Sequence, residues 1–403
     1  MNKSWRTPTL IVICGGLILT LSLGTRQGFG LFLQPMTSEF GWGRETFAFA
    51  IALQNLVWGA AQPFSGMIAD RFGAGRVLAG GAALYALGLA LMALSSTGVE
   101  LALSAGVLLG LALSGTSFGV VYGVIARTFA PEKRSVALGI ASAAGSFGQF
   151  AMIPYGYALI SNFGWYVSLL MLAASAALMA PLASALATPR EHRVMQSGQS
   201  MSQALAEALK HRGFWLLCWG FLVCGFQTLF ISVHLPAFLL DREMSAHTGM
   251  MALALIGLFN VFGSFLCSYL GGHYPRKYLL SVIYLLRALL IAVFITLPMS
   301  PWSVYVFAAV MGLLWLGTVP LTNGVVAQIF GVRYLSTLFG IVFLFHQIGS
   351  FLGIWIGGYL YDLTGSYQLI WIIAIALGVI AALLNWPIDD RQIKRLELKE
   401  STA

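Results

Sequence analysis

Arg26 lies in Thr25-Arg26-Gln27-Gly28-Phe29-Gly30, inside an apolar run that extends over positions 9–36, and Arg287 lies inside another run. A charge embedded in a stretch apolar enough for a bilayer is costly, so Arg26 marks a functional site by default. Arginine stays protonated at any working pH and grips a carboxylate through two parallel hydrogen bonds. The chemistry Arg26 offers is therefore recognition of an anion, with a structural pairing to backbone carbonyls or to a loop acid such as Glu39 as the alternative. Substrate is the favoured partner.

Other polar side chains interrupt apolar runs. His346-Gln347 stands within Phe343-Leu344-Phe345-His346-Gln347-Ile348-Gly349. It is balanced between ligand contact and an interhelical hydrogen bond. His234 falls near the end of its run, where a structural role is favoured. Tyr122 and Asn323 bring a hydroxyl and an amide, suited to a small polar substrate, and Gln149, Gln227 and Asn260 are weaker candidates. All fourteen acids map outside the apolar runs. With no embedded carboxylate, reversible protonation falls to His346 or His234, whose neutral range suits it, or the proton travels on the substrate.

Catalysis finds no support. No phosphate-binding G-x-x-x-x-G-K-[ST] motif occurs, metal ligands do not cluster, and no nucleophile, base and acid set stands out, so no cofactor or metal is expected. Cys14, Cys218, Cys224 and Cys267 all lie in apolar runs and read as buried thiols.

The elements that must position these residues are long helices. Hydrophobic residues make up 59% of the 403 and charged residues 9%, too few charges to cover a soluble domain. Twelve apolar runs are long enough to span a bilayer, near 9–36, 46–69, 77–96, 101–127, 136–160, 165–187, 213–239, 247–272, 279–298, 302–329, 336–360 and 367–387. Open sheets cannot stand in lipid and the runs are too long for a barrel, which leaves an all-α helical bundle. With the N-terminus inside, eighteen Lys and Arg fall on the inner side and only Arg44 and Arg242 outside. This asymmetry, rather than a nucleic-acid partner, accounts for the net charge of +8 and places both termini in the cytoplasm of a cell inner (plasma) membrane. The first run continues to Met36 without a cleavage pattern and reads as a retained helix.

A polar stretch, 188–212, separates six runs from six, so the expected organisation is 1–187, the linker 188–212, 213–390 and a tail 391–403. Shifting the sequence by 201 residues aligns Gly123 with Gly324, Phe129 with Phe330, Gly148 with Gly349 and Tyr166 with Tyr367. That is an internal duplication. Between the second and third runs stands Gly66-Met67-Ile68-Ala69-Asp70-Arg71-Phe72-Gly73-Ala74-Gly75-Arg76. The four-residue step from Gly66 to Asp70 puts both on one helix face, where glycine admits another helix and the carboxylate can cap a neighbouring N-terminus. It reads as a latch. A degraded copy, Gly271-Gly272-His273-Tyr274-Pro275-Arg276-Lys277, keeps the basic charge and loses the acid.

The pattern G-x-x-x-D-R-x-G with Arg76 nearby resembles the loop between helices 2 and 3 of the major facilitator superfamily of secondary transporters. The resemblance implies a twelve-helix fold in two six-helix halves related by a pseudo-twofold axis, with the substrate site between them. It implies that Gly66, Asp70, Arg71, Gly73 and Arg76 form a gating latch, that Tyr122 and Asn323 face one another, and that the helix of Arg287 is peripheral, which favours structural pairing there. The run Arg26 to Phe32, Phe40-Gly41-Trp42-Gly43-Arg44 and the latch resemble the monocarboxylate transporter family and its bacterial relatives. On that resemblance Arg26 takes the place of the family's helix-1 lysine, which takes part in binding proton and anion. The family's helix-8 Asp and Arg correspond here to Asn260 and Ser264, so its main carboxylate anchor is missing.

The expected function is secondary transport of a small organic anion, most simply a monocarboxylate, with a proton, by a monomer. An efflux carrier for amphipathic compounds is the alternative, and a non-transporting receptor on the same fold is the alternative of another class.

Overall fold

In the computed structural model, residues 6–129, 131–187, 200–331 and 334–393 are described, with Asp70, Pro131, Glu132, Arg134, Ser135, Val136 and Ser336 described in backbone only. The linker stretch 188–199 and the last ten residues of the expected tail therefore lie outside the described residues. The described chain is helical throughout. α1 (Pro8–Gln27) starts where Thr7 accepts from the Leu10 N–H at 3.3 Å and proline takes the first turn. α2 (Gly30–Phe40) continues it after a break at Gly28-Phe29 and ends at Gly41, whose φ of 65° suits glycine. α3 (Arg44–Phe72) and α4 (Ala74–Leu94) are separated by Gly73 alone, at φ 97°.

The next crossing is pieced together from α5 (Gly98–Leu101), a π-helical segment (Ala102–Leu108), α6 (Leu109–Thr116) and α7 (Phe118–Thr128). α8 (Pro131–Ala177) holds two crossings that reverse at Gly164, φ 74°, followed by α9 (Met179–Ala183). The C-terminal helices are the short amphipathic α10 (Met201–Lys210), then α11 (Arg212–Asp241), α12 (Ala246–Leu270), α13 (Arg276–Thr296), α14 (Pro301–Leu313), α15 (Thr318–Phe330), α16 (Leu335–Thr364) and α17 (Gln368–Asn385).

Ten helical stretches among the described residues are long and apolar enough to cross a membrane. Dividing the 50-residue stretch Ala137–Leu186 at Gly164 and adding α3 brings the crossings to the expected twelve. Four expected spans are not single helices, the sixth (165–187) being divided at Leu178. The first breaks at Gly28-Phe29, the fourth at Ser117, and the tenth between Leu313 and Thr318.

Within the N-terminal helices α8 packs on α1 and α4; within the C-terminal ones α11 packs on α16, α13 on α17 and α12 on α14. Lipid tails are as apolar as leucine, so close backbone approach has to hold such pairs. At Gly225 a Cβ would strike the His346 carbonyl, and at Gly349 one would strike the Leu222 carbonyl. Those two glycines let α11 and α16 meet backbone to backbone.

Across the two sets of helices, α3 meets α16, α8 meets α12 and α2 meets α11. The seam is tight toward the end carrying the Gly41, Gly164 and Gly365 turns, the Gly41 end. Gly358 packs on Glu45 and Ala48, and Gly59, further along, on Leu344 and Gln347. Two turns beyond Gly59, nothing lies within 4 Å of where a Cβ of Gly66 would stand. The α8–α12 seam behaves alike: Tyr157 meets His247, Gly257 packs on Gln149 and Phe150, and Gly139 meets nothing within 4 Å. The two sets of helices are closed at the Gly41 end and splayed at the Gly73 end.

Candidate functional site

Arg26 stands where the closed seam gives way. It is partly exposed, donates to the Asn55 side-chain oxygen, and sits over the Trp58 ring at 5.0 Å. Asn55 is itself anchored by a 2.8 Å bond to the Ile51 carbonyl. Among the described residues no ion pair to Arg26 is found, and Glu39, the loop acid weighed as its partner, instead accepts from the Trp165 indole. An amide and an aromatic face orient the guanidinium and leave its charge unneutralised.

Trp58 carries the site across the seam. Its ring meets Phe343 edge-on at 5.5 Å, and Phe343 lies parallel to His346 at 5.8 Å. The Trp58 indole donates to Gln62 at 2.8 Å and Ser117 at 3.2 Å. His346 is 6% exposed, with Nδ1 3.2 Å from Gln347 Oε1 and 3.4 Å from Ser350 Oγ. His346 Nε2 and Gln347 Nε2 have no hydrogen-bond partner. Buried polar atoms are nearly always paired, which sets these two apart, and the Cys224 thiol is a further neighbour of the His346 ring. Arg26, Trp58, Phe343 and His346 thus form a contiguous chain at the apex of the splayed space.

The remaining candidates separate. Tyr122 is partly exposed, tilts on Phe118 at 5.0 Å and bonds Ser142. Asn323 is partly exposed with an unpartnered Oδ1. Gln149 is buried at the α8–α12 seam with Oε1 unpartnered, and Gln227 donates to the Ala374 carbonyl at 2.9 Å.

Asn260 has a structural task beside its unpartnered Nδ2. Its Oδ1 accepts from Leu316 N at 3.1 Å and from Ser264 at 3.2 Å, so it caps the backbone freed by the α14–α15 break. Arg287, fully buried, donates to the Leu314 and Trp315 carbonyls of the same break and reaches Cys224 Sγ at 3.5 Å. The structural pairing favoured for Arg287 is what is found. In the latch, Arg71 stacks on Phe72 at 5.3 Å and Arg76 reaches the Phe72 carbonyl at 3.5 Å, while the Asp70 carboxylate lies outside the described residues. Gly66 admits no helix in this state. The degraded copy recovers an acid from far along the chain: Lys277 pairs with Asp390 at 3.0 Å, and Arg276 donates to Gln328 at 2.7 Å.

At the Gly41 end a polar cluster joins the two sets of helices. Arg44 grips Asp241 through two bonds of 2.6 Å, donates to the Tyr367 hydroxyl at 3.1 Å and lies 3.8 Å above the Tyr361 ring. Burial opposes its charge, but the bonds to Asp241 and Tyr367 outweigh that and hold the guanidinium pKa above its ordinary value. Asp362, from the end of α16, accepts the N–H groups of Arg44 at 2.9 Å and Glu45 at 2.7 Å, capping α3 from the other set of helices. Trp355 donates to Glu45 at 2.9 Å, and Gln27 to Ser232 at 2.9 Å.

The sequence reading used Arg44 for orientation and for the family resemblance, not as a gate residue, and passed over Asn55, Trp58 and Gln62. The signal for the last three was present, since they stand three and four residues apart on one face of an otherwise apolar span.

A bundle of twelve crossings, closed at one end and open at the other around the Arg26 guanidinium, is carrier architecture. The profile of the Major Facilitator Superfamily matches residues 15–326 and 244–402. The chain belongs to that superfamily. Its relatives within the superfamily include the uncharacterized MFS-type transporter YcxA of Bacillus subtilis, 26% identical over 385 residues, covering 91% of this chain and 92% of that one. Monocarboxylate transporter 11 of Homo sapiens is 26% identical over 362 residues, 86% of this chain and 75% of that one. Among solved structures, a bacterial homologue of the human lysosomal transporter Spinster, in an inward-facing and occupied conformation, superposes with a TM-score of 0.78 at 17% identity, covering 98% of this chain and 100% of that one. The nucleoside transporter NupG superposes with a TM-score of 0.76 at 13% identity, covering 94% and 99%. This major facilitator protein is a multi-pass membrane transporter.

Proposed function

We propose that this transporter moves a small organic anion, most simply a monocarboxylate, together with a proton, by alternating access between residues 1–187 and 213–390 joined by the linker 188–212. The observation that carries the reading is Arg26: a guanidinium at the apex of the open space, oriented by Asn55 and Trp58, with no carboxylate paired to it among the described residues. A substrate carboxylate fills that vacancy in two parallel hydrogen bonds. The unpartnered nitrogens of His346 and Gln347, with Tyr122 and Asn323, supply donors and acceptors for the rest of the molecule. The similarity to monocarboxylate transporter 11 supports the substrate class.

The skew of Lys and Arg supports both termini lying on the cytoplasmic side of the cell inner membrane, an orientation in which the splayed end faces inward. In the opposite state, Asp70, Arg71 and Arg76 latch the cytoplasmic side, with Gly66 admitting the helix that now stands away from it. The aromatic apex of Trp58 and Phe343 favours a second reading, export of amphipathic compounds.

Thermal unfolding of the purified protein against monocarboxylates, dicarboxylates and lipophilic compounds separates the two, because a ligand of the native state raises the midpoint. Stabilisation by one carboxylate class that disappears in Arg26→Gln, and is partly kept in Arg26→Lys, is the expected result. Stabilisation by lipophilic compounds alone, unchanged in Arg26→Gln, overturns the anion reading.

A further inference from the structure

His234 sits directly behind the closed Gly41 end. It is fully buried on α11, its Nε2 lies 2.8 Å from the Ile354 carbonyl, and its Nδ1 lies 3.0 Å from the Tyr367 hydroxyl. That same hydroxyl accepts from Arg44 Nη1 at 3.1 Å, and Arg44 holds Asp241 with two bonds of 2.6 Å. A single phenol therefore connects a titratable imidazole of the C-terminal helices to the arginine that reaches across from α3.

The direction of every hydrogen in this chain follows from what each group can do. Arginine has only donors, so the Tyr367 oxygen accepts from Arg44. A carbonyl oxygen only accepts, so His234 Nε2 carries its hydrogen toward Ile354. In the neutral ring Nδ1 is then a lone pair, and the Tyr367 O–H donates to it. The chain Arg44 to Tyr367 to His234 to Ile354 is complete with a neutral histidine.

A proton added at Nδ1 turns that acceptor into a donor. Tyr367 would then face two donors, its own hydrogen would lose its acceptor in a buried place, and an imidazolium would stand one hydroxyl away from a guanidinium. A buried polar group left unpaired is costly, and like charges repel. The other charged and titratable groups facing the cluster do not relieve this. Asp241 on α11 is already bidentate on Arg44, Asp362 on α16 is committed to the α3 N-terminus, Glu45 on α3 accepts from Trp355, and Tyr361 on α16 lies under Arg44.

We infer that His234 is a proton-sensitive element of the gate: the closed Gly41 end requires the neutral ring, and protonation of His234 releases Arg44 and Tyr367 and shifts the transporter toward the state open at that end. The state with fewer bound protons is favoured at high pH, so acid opens this gate. The inference needs only the transporter fold and stands apart from the nature of the substrate.

The test is a distance between the two sets of helices at the Gly41 end in the full-length protein in lipid nanodiscs. Spin labels go on Asn162→Cys and Gln368→Cys, exposed positions on α8 and α17, and the four native cysteines are buried. Distance distributions are recorded across the imidazole range of pH in the labelled parent, His234→Gln, Tyr367→Phe and His346→Gln. In the parent the long-distance population should grow as pH falls, by up to about tenfold per pH unit, the limit for one proton. His234→Gln keeps an oxygen that can accept from Tyr367 but does not titrate, so its distribution should not respond to pH. Tyr367→Phe removes the link and should likewise be flat, which keeps the test alive if His234→Gln does not fold. His346→Gln should retain the parent's response. A parent insensitive to pH, an undiminished response in His234→Gln or Tyr367→Phe, or loss of the response in His346→Gln alone would each overturn the inference.

Discussion

Arg287 is wholly enclosed and directs its donors at the carbonyls of Leu314 and Trp315, whereas Arg26 is partly exposed and holds one amide and one indole face. The same side chain pairs with backbone carbonyls in the first place and with side chains in the second. Replacing Arg287 by Met should therefore lower stability by about 2–5 kcal/mol, because each buried carbonyl left unpaired costs about 1–3 kcal/mol. Arg26→Gln should leave the melting temperature of the unliganded protein close to the parent's. Thermal melts of the two variants in one detergent check the contrast. Both arginines were legible in the sequence, since a charge in an apolar run stands out at once. Their partners were not: Arg287 is paired with backbone, which has no sequence signature, and Asn55 and Trp58 are residue types common in helix interfaces.

The broken helices show the same limit at the scale of elements. α6 and α7 part at Ser117, α14 and α15 part just before Thr318, and the 201-residue repeat makes these equivalent positions. Each break frees backbone groups at mid-depth, where no water can satisfy them. The N-terminal break is served by Gln62, whose Nε2 reaches the Ser114 carbonyl at 3.3 Å and whose Oε1 accepts from Ser117 at 2.9 Å. The C-terminal break is served by Asn260 and Arg287. The spans were readable from hydropathy, but the break was not, because Gly317-Thr318-Val319-Pro320 also reads as small residues for close packing. Asn260 was a substrate candidate on its polarity, and its Oδ1 serves the break through Leu316 N while its Nδ2 has no partner. Asn260→Leu should accordingly cost about 1–3 kcal/mol of stability by orphaning that N–H. The affinity for whichever ligand stabilises the parent should be unchanged, as read by the ligand's shift of the melting midpoint relative to each variant's own baseline.

For the whole molecule, the structure is closed at the Gly41 end and splayed at the Gly73 end. The Gly66 step was legible as a place for another helix, yet in this structure nothing stands within 4 Å of where its Cβ would lie. The opposite closure left little trace in the sequence. Arg44, Asp241 and Asp362 are ordinary loop charges until the fold brings them together from positions 197 and 318 residues apart. The Arg44–Asp241 pair is partly buried, 11% and 26% exposed at the side chains, so it is screened less than a surface pair. Hydrogen bonds to charged groups contribute about 1.5–3 kcal/mol net. Removing Arg44 should therefore move the equilibrium between the states by roughly tenfold or more, since 1.4 kcal/mol is a factor of ten. Ser232 reports on that shift, because it lies buried under the gate, bonded to Gln27 across the seam. A cysteine at Ser232 should react slowly with a membrane-impermeant maleimide applied from the Gly41 side, and at least severalfold faster when Arg44→Ala is added. Equal rates with and without Arg44 would mean that the helix packing at Gly30, Gly59 and Gly358, rather than the charged cluster, holds this end shut.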